Sequence, residues 1–125
     1  MSGPFGVLNA AASGASMAST WMDVIGHNLA NINTVTATDT EPFRAKFLVL
    51  AEDSSSEGVQ MQEIVAAAGD APLRYDPQHP LADENGMVQG ANIDTAGQMS
   101  DMIIACRHYQ MNLQVVKAAE EAYQA

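Results

Sequence analysis

Cys106 and His108 are the first residues to test for chemistry, since a neighbouring thiol and imidazole can hold a metal ion or act as nucleophile and base. On a helix, positions two apart point about 200° from each other around the axis, so the two cannot converge on one ligand. His27 and His79 lie in different segments, the second between Gln78 and Pro80 in a turn. The carboxylates give no better lead: Glu52-Asp53, Asp83-Glu84 and Glu120-Glu121 are adjacent pairs, none with a candidate catalytic partner at helical or strand spacing. There is no phosphate loop, no Gly-x-Ser-x-Gly and no Cys-x-x-Cys. The sequence offers no catalytic residue, no cofactor-binding residue and no metal ligand, and it reads as a non-enzymatic chain.

The polar residues that do stand out carry no charge. The stretch "WMDVIGHNLANINTVT" (21–36) ends an apolar helical run in Asn28, Asn31 and Asn33. A carboxamide donates and accepts at once, so these side chains are expected to satisfy the last carbonyls of a helix and neighbouring backbone where water is excluded.

The elements that must hold them follow from periodicity. Alternating steps of three and four from Leu8 give Leu8, Ala11, Ala15, Ala18, Met22, Ile25, Leu29 and Ile32. The same count from Met99 gives Met99, Met102, Cys106, Tyr109, Leu113, Val116, Glu120 and Tyr123, apolar except for Glu120. Both series have coiled-coil spacing and predict two long helices, over 5–31 and 95–123, each roughly 40 Å long. Pro4 suits a first turn, and asparagine near 31 suits a left-handed close. Asp94 or Thr95 would cap the second helix, with Gln98 completing a capping box on Thr95.

Between the helices the periodicity changes. "PFRAKFLVLAE" favours a strand over 43–51, and "GVQMQEIV", "PLRYD" and "GMVQG" are shorter extended pieces bounded by Pro and Gly. "EDSSSEG" (52–58) reads as a mobile acidic loop, and "DPQHPLADENGM" contains Asn85-Gly86, a strong turn signal. The expected architecture is α+β: two terminal helices paired as a coiled coil, with a small β-rich middle. Its parts are a helix and Asn-rich turn (1–34), the middle (35–93) and the closing helix (94–125).

With 125 residues the chain has room for one modest core. Its 15 acidic and 5 basic residues leave a formal charge of −10, which repels nucleic acid and anionic membrane alike. One cysteine makes no internal disulfide, and no run has the roughly 18 apolar residues of a membrane span. The N-terminus lacks the features of a cleavable secretory signal, so any export is expected to proceed without cleavage.

Residues 1–22 contain no charge, and their off-seam positions hold Ala, Ser, Gly, Asn and Thr. A water-facing helix would carry Lys and Glu there. Small residues permit close packing but bury little apolar area, and each internal Gly costs about 1 kcal/mol relative to Ala. Together these features predict a helix that gains order by packing against other subunits, with the acidic middle outward. A secreted helical-hairpin adaptor is the alternative, although the Trp-x-Gly turn of such proteins is absent: Trp21 precedes Met22-Asp23.

"MDVIGHNLANINT" resembles the N-terminal signature of the flagellar axial proteins, the rod and hook family, with Asn28, Leu29, Ala30, Asn31, Asn33 and Thr34 matching in order. "EPFRAK", "YDPQHPLADENGMV" and "ANIDTAGQMSDMIIACRHYQMNLQVVKAA" are similar to the proximal-rod members of that family. Gly26-His27 departs from the more usual Ala plus small polar residue. The resemblance implies a structural subunit of the basal-body rod, exported uncleaved by the flagellar type III apparatus to a place outside the cytoplasmic membrane. It implies contact with further copies, other rod proteins and the basal-body adaptor at the motor ring, without cofactor, nucleic acid or membrane insertion. The expected subunit-interface residues are Leu8, Ala11, Ala15, Ala18, Met22, Ile25, Asn28, Leu29, Asn31 and Asn33 in the first helix and turn. In the last helix they are Met99, Met102, Cys106, Tyr109, Leu113 and Val116.

Overall fold

The computed structural model describes residues 4–54 and 58–125. The expectations for Ser2-Gly3 and for the middle of the acidic loop lie outside the described residues. The chain is α+β. Helix α1 (Pro4–Ala30) is followed by strands β1 (Lys46–Glu52), β2 (Val59–Ala66), β3 (Leu73–Tyr75) and β4 (Met87–Gln89), and helix α2 (Thr95–Gln124) closes it.

The two helices lie antiparallel. Phe5 meets Tyr123 edge-to-face at 5.3 Å, Gly14 faces Asn112, the Cys106 thiol reaches the Met22 sulfur at 3.4 Å, and Asn28 meets Gln98. On α1 the face toward the interior is made of small side chains, with Ala11, Ala15 and Ala18 buried beside Ile25. Alanines let the backbones approach but contribute little area each, at about 25 cal/mol per Å2. Ile25 and Val88 are the largest wholly buried apolar side chains, so the internal core is thin.

The middle is two small antiparallel sheets rather than one. β1 and β2 form a hairpin with a register shift after Val49, where Gln62 is the extra residue of β2. Two contacts hold this hairpin along α1: Asn28 bonds Lys46 at its base, and the Ser13 hydroxyl accepts the Val59 N–H at 3.1 Å near its tip. β3 pairs with β4, and Thr36 adds a bridge to β4 by exchanging both backbone bonds with Gln89. The turn expected at Asn85-Gly86 is present: Gly86 has φ +76°, which glycine adopts freely, and its N–H donates to the Asp83 carbonyl. Asp83 Oδ1 accepts the N–H groups of Asn85 and Met87, and Oδ2 accepts the Thr38 hydroxyl.

Three local expectations are corrected. α1 does not end in a left-handed asparagine, because neither Asn31 nor Asn33 has positive φ. The chain instead tightens, with Asn31 N–H donating to the Asn28 carbonyl three residues back. Asp94 is the N-cap of α2 and accepts from Gly97 N–H, but no capping box forms, since Gln98 turns inward to Asn28.

The third correction concerns the rotation of α2. Met102, Tyr109 and Val116 lie on its sheltered side as expected, but Gln98, Ala105, Asn112 and Ala119 stand where the heptad count placed Met99, Cys106, Leu113 and Glu120. Met99 is 57% and Leu113 44% exposed, while Cys106 is half-buried at the margin. The cause is polar as well as steric. Turning Met99 inward would remove the acceptor that Gln98 gives the buried Asn28 amide, and an unsatisfied buried donor costs about 1–3 kcal/mol.

Candidate functional site

Asn28 occupies the point where α1, β1 and α2 meet, and it is 0% exposed. Its Oδ1 accepts the Lys46 N–H at 2.8 Å, and its Nδ2 donates to the Lys46 carbonyl at 2.9 Å. The side chain thus imitates a neighbouring strand, closing both hydrogen bonds of the first β1 residue. The second Nδ2 hydrogen goes to Gln98 Oε1 at 3.0 Å, and Gln98 is buried too. Three bonds between three elements use the donor and acceptor capacity of one carboxamide, and Asp or Leu could not reproduce both.

The other two asparagines serve different ends. Asn31 Nδ2 donates to the His27 carbonyl at 2.8 Å, satisfying one of the last carbonyls of α1, and its Oδ1 accepts the Thr34 hydroxyl. Asn33 is exposed and borders a cleft between the post-helix turn and the Pro72–Arg74 segment. The asparagine cluster therefore separates into a buried connector, a helix stop and a surface amide.

Around this junction the molecule is marked by exposed apolar area. Phe47, Leu50, Met61 and Ile64 are exposed on the β1–β2 hairpin. On α2, Met99, Ile103 and Leu113 lie to one side of the α1-facing stripe, and Ile104, Met111 and Val115 lie to the other, all exposed. Leu8, Met22 and Leu29 of α1 and Met102, Tyr109 and Val116 of α2 are half-buried. Exposed apolar side chains thus flank the α1-facing stripe of α2 on both sides, among exposed polar ones such as Arg107, Gln110 and Lys117.

The residues that could have done chemistry remain dispersed. His27 lies with its ring centroid 5.5 Å from that of Phe43, the planes tilted by 54°, His79 Nδ1 accepts the Leu81 N–H, and Cys106 faces Met22. Among the described residues, no group of three His, Cys, Asp or Glu is placed to hold a metal ion, and no helix is long and apolar enough to cross a membrane. The Asp83 carboxyl is held below its ordinary value near 3.8, chiefly by the Met87 N–H and then by the Thr38 hydroxyl. That arrangement fixes a turn.

Sequence reasoning missed two members of the junction. Lys46 contributes only its backbone, which leaves no side-chain signal. Gln98 was assigned to a cap, and a count of polar residues at apolar helix positions would have flagged it.

Residues 84–125 match the family profile described as "Flagellar basal body rod FlgEFG protein C-terminal". The chain is 33% identical to the flagellar basal-body rod protein FlgC of Salmonella typhimurium, covering 91% of this chain and 88% of that one. It is 34% identical to the protein of the same name from Yersinia enterocolitica, with the same coverage. The likeness to FlgC of Borreliella burgdorferi is 26% but spans 98% of this chain and 95% of the relative. With the Asn28 signature, the paired terminal helices and a full-length likeness all in agreement, this chain belongs to the FlgC family of flagellar basal-body rod proteins, structural subunits of the rod.

Proposed function

We propose that this chain is a non-enzymatic subunit of the proximal rod, whose terminal helices pair as a coiled coil and pack into a torque-transmitting shaft. The supporting observation is α2, which turns Ala105 and Gln98 toward α1 and leaves Met99, Ile103, Leu113, Ile104, Met111 and Val115 exposed on both flanks. A helix flanked on both sides by neighbours buries those residues, at about 1.5–3 kcal/mol for each large side chain fully removed from water. On this reading 1–34 and 94–125 form the assembly core and 35–93 lies outside it. Leu8, Met22, Leu29, Met102, Tyr109 and Val116 stabilise the pair, whereas Met99 and Leu113 meet other subunits. The partners are further copies, other rod proteins and the adaptor at the motor ring. The export apparatus carries the chain, uncleaved, to its place outside the cytoplasmic membrane.

Two variants test this. Ile103→Glu with Met111→Glu places charge on both flanks and leaves the α1-facing stripe intact. The purified variant should keep its helical circular dichroism yet be absent from isolated basal bodies, and full motility would refute the packing. Asn31→Ala with Asn33→Ala should impair rod assembly while sparing expression and export; a motile double variant would contradict that role.

A further inference from the structure

Asn85 precedes a glycine, whereas every other asparagine of the sequence precedes Ala, Leu, Ile or Thr. That neighbour matters chemically. A backbone nitrogen that gives up its proton to solvent can attack the carboxamide carbon of the asparagine before it, closing a five-membered imide and expelling ammonia. Water then opens the imide at either carbonyl and leaves aspartate or isoaspartate. A side chain on the following residue hinders the attack, and Gly86 has none. The Asn85 residue is exposed, so ammonia and water pass freely. The turn nonetheless requires glycine: φ at Gly86 is +76°, and a Cβ there would stand 2.9 Å from the Tyr75 ring and 3.0 Å from the Pro77 side chain. Any restraint on the chemistry comes from how the turn is held.

The Gly86 N–H donates to the Asp83 carbonyl at 3.0 Å, closing a turn whose central residues, Glu84 and Asn85, both have negative φ. That is a type I turn, whose third residue has ψ near 0°. The imide ring needs the Gly86 nitrogen to eclipse Asn85 Cβ about the Cα–C bond, roughly 120° of rotation from that value. Asp83 opposes the rotation. Its Oδ1 accepts the N–H groups of Asn85 and Met87, each at 2.9 Å, and its Oδ2 is held by the Thr38 hydroxyl. Gly86 is buried, and its carbonyl accepts the Asp76 N–H at 2.8 Å. A carboxylate close to the Gly86 nitrogen also disfavours a second negative charge there.

We propose that Asn85 is a site of deamidation through an imide, and that the Asp83 turn sets its rate by holding the Gly86 nitrogen away from the carboxamide. The proposal is independent of rod membership. Only molecules whose turn has opened react, so the folded chain converts more slowly than the unfolded one. Isoaspartate adds a methylene to the backbone at 85 and displaces Gly86 and Met87 from Asp83, so the turn joining β3 to β4 does not reclose.

The purified chain, held in mildly alkaline buffer with or without unfolding guanidinium chloride, tests this by digestion and mass spectrometry. Asn33 and Asn92, exposed but followed by Thr and Ile, serve as internal standards. Asn85 should convert at least about tenfold more slowly in the folded chain, the factor expected when opening breaks two or three hydrogen bonds. Asp83→Ala should bring the folded rate close to the unfolded one, and Thr38→Val should fall between. Equal wild-type rates in the two solvents would overturn the restraint however the variants behave, and an Asn85 that stays intact in denaturant would reject the site. Asp83→Ala with wild-type circular dichroism and the wild-type rate would overturn the role of the carboxylate. Should that variant lose its helical signal, Thr38→Val, which leaves both N–H bonds to Oδ1 in place, decides the same point: no acceleration rejects it.

Discussion

Where α1 ends, Asn28 is sealed among three elements, with Ile25 and Ala105 buried nearby. Where α1 begins, Phe5 and Tyr123 touch edge-to-face yet remain 56% and 65% exposed, beside an opening of about 340 Å3 bordered by Leu8 and Ala119. Among the described residues, one end of the helical pair is closed and the other is open. The closed end uses hydrogen bonds that only one arrangement satisfies, so it specifies how the helices and hairpin are oriented. The open end carries large apolar side chains that the described residues leave exposed. On the proposed reading, the junction fixes the shape and the open remainder is where neighbours pack.

The comparison is broken most severely at the junction. Asn28→Ala strands the Lys46 N–H and carbonyl and deprives Gln98 of its donor, so the folded chain should lose about 2–5 kcal/mol, summed from about 1–3 kcal/mol per stranded group with partial relief by water. Urea unfolding of the purified chain measures this, and a loss below 1 kcal/mol would mean that the closed end is not what orients the helices. At the hairpin tip, Ser13→Ala removes the acceptor of Val59 N–H and should cost about 1 kcal/mol. Hydrogen exchange should show the loss at Val59 and leave the Asn28 end protected.

At the open end Phe5→Ala should cost only about 0.5–1.5 kcal/mol in the isolated chain, the worth of an edge-to-face aromatic pair. Its incorporation into basal bodies should fall far more than its stability. Equal losses in the two measurements would place the open end with the closed one.

The smallest effect belongs to the turn held by Asp83. Its carboxyl is lowered by the Met87 N–H and the Thr38 hydroxyl, so its contribution is fully present above the ordinary value near 3.8 and is lost as pH falls through the lowered folded value. Acidification through that window should loosen Met87 and Asn85 amides in hydrogen exchange while those around Asn28 stay protected. Asp83→Asn should flatten this pH dependence.

How much was legible in the sequence varies with the kind of signal. The α1 stripe from Ala11 to Ile25 could be read directly, because small and apolar residues recur there with the helical period. In α2 two adjacent residues compete at every second step: Gln98 with Met99, Ala105 with Cys106, Asn112 with Leu113, Ala119 with Glu120. In the first three pairs hydrophobicity favours the larger member, and in all four the structure turns the smaller or more polar one toward α1. Met99 and Leu113 are left exposed and Cys106 stays at the margin against Met22, so an internal-packing criterion misplaces them.

From its residues alone this chain determined two long helices, short strands between them, the turn at Asn85-Gly86 and the family to which the Asn28–Thr34 signature points. Periodicity, turn chemistry and residue type are local properties, and they act before distant parts meet. Tertiary structure alone decided the rotation of α2, the division of the middle into two sheets and the use of Lys46 as backbone partner. The rotation of α2 and the role of Lys46 depend on where a buried amide finds its three bonds, settled only when segments 18 and 70 residues apart come together, and the division into two sheets depends on which strands pair.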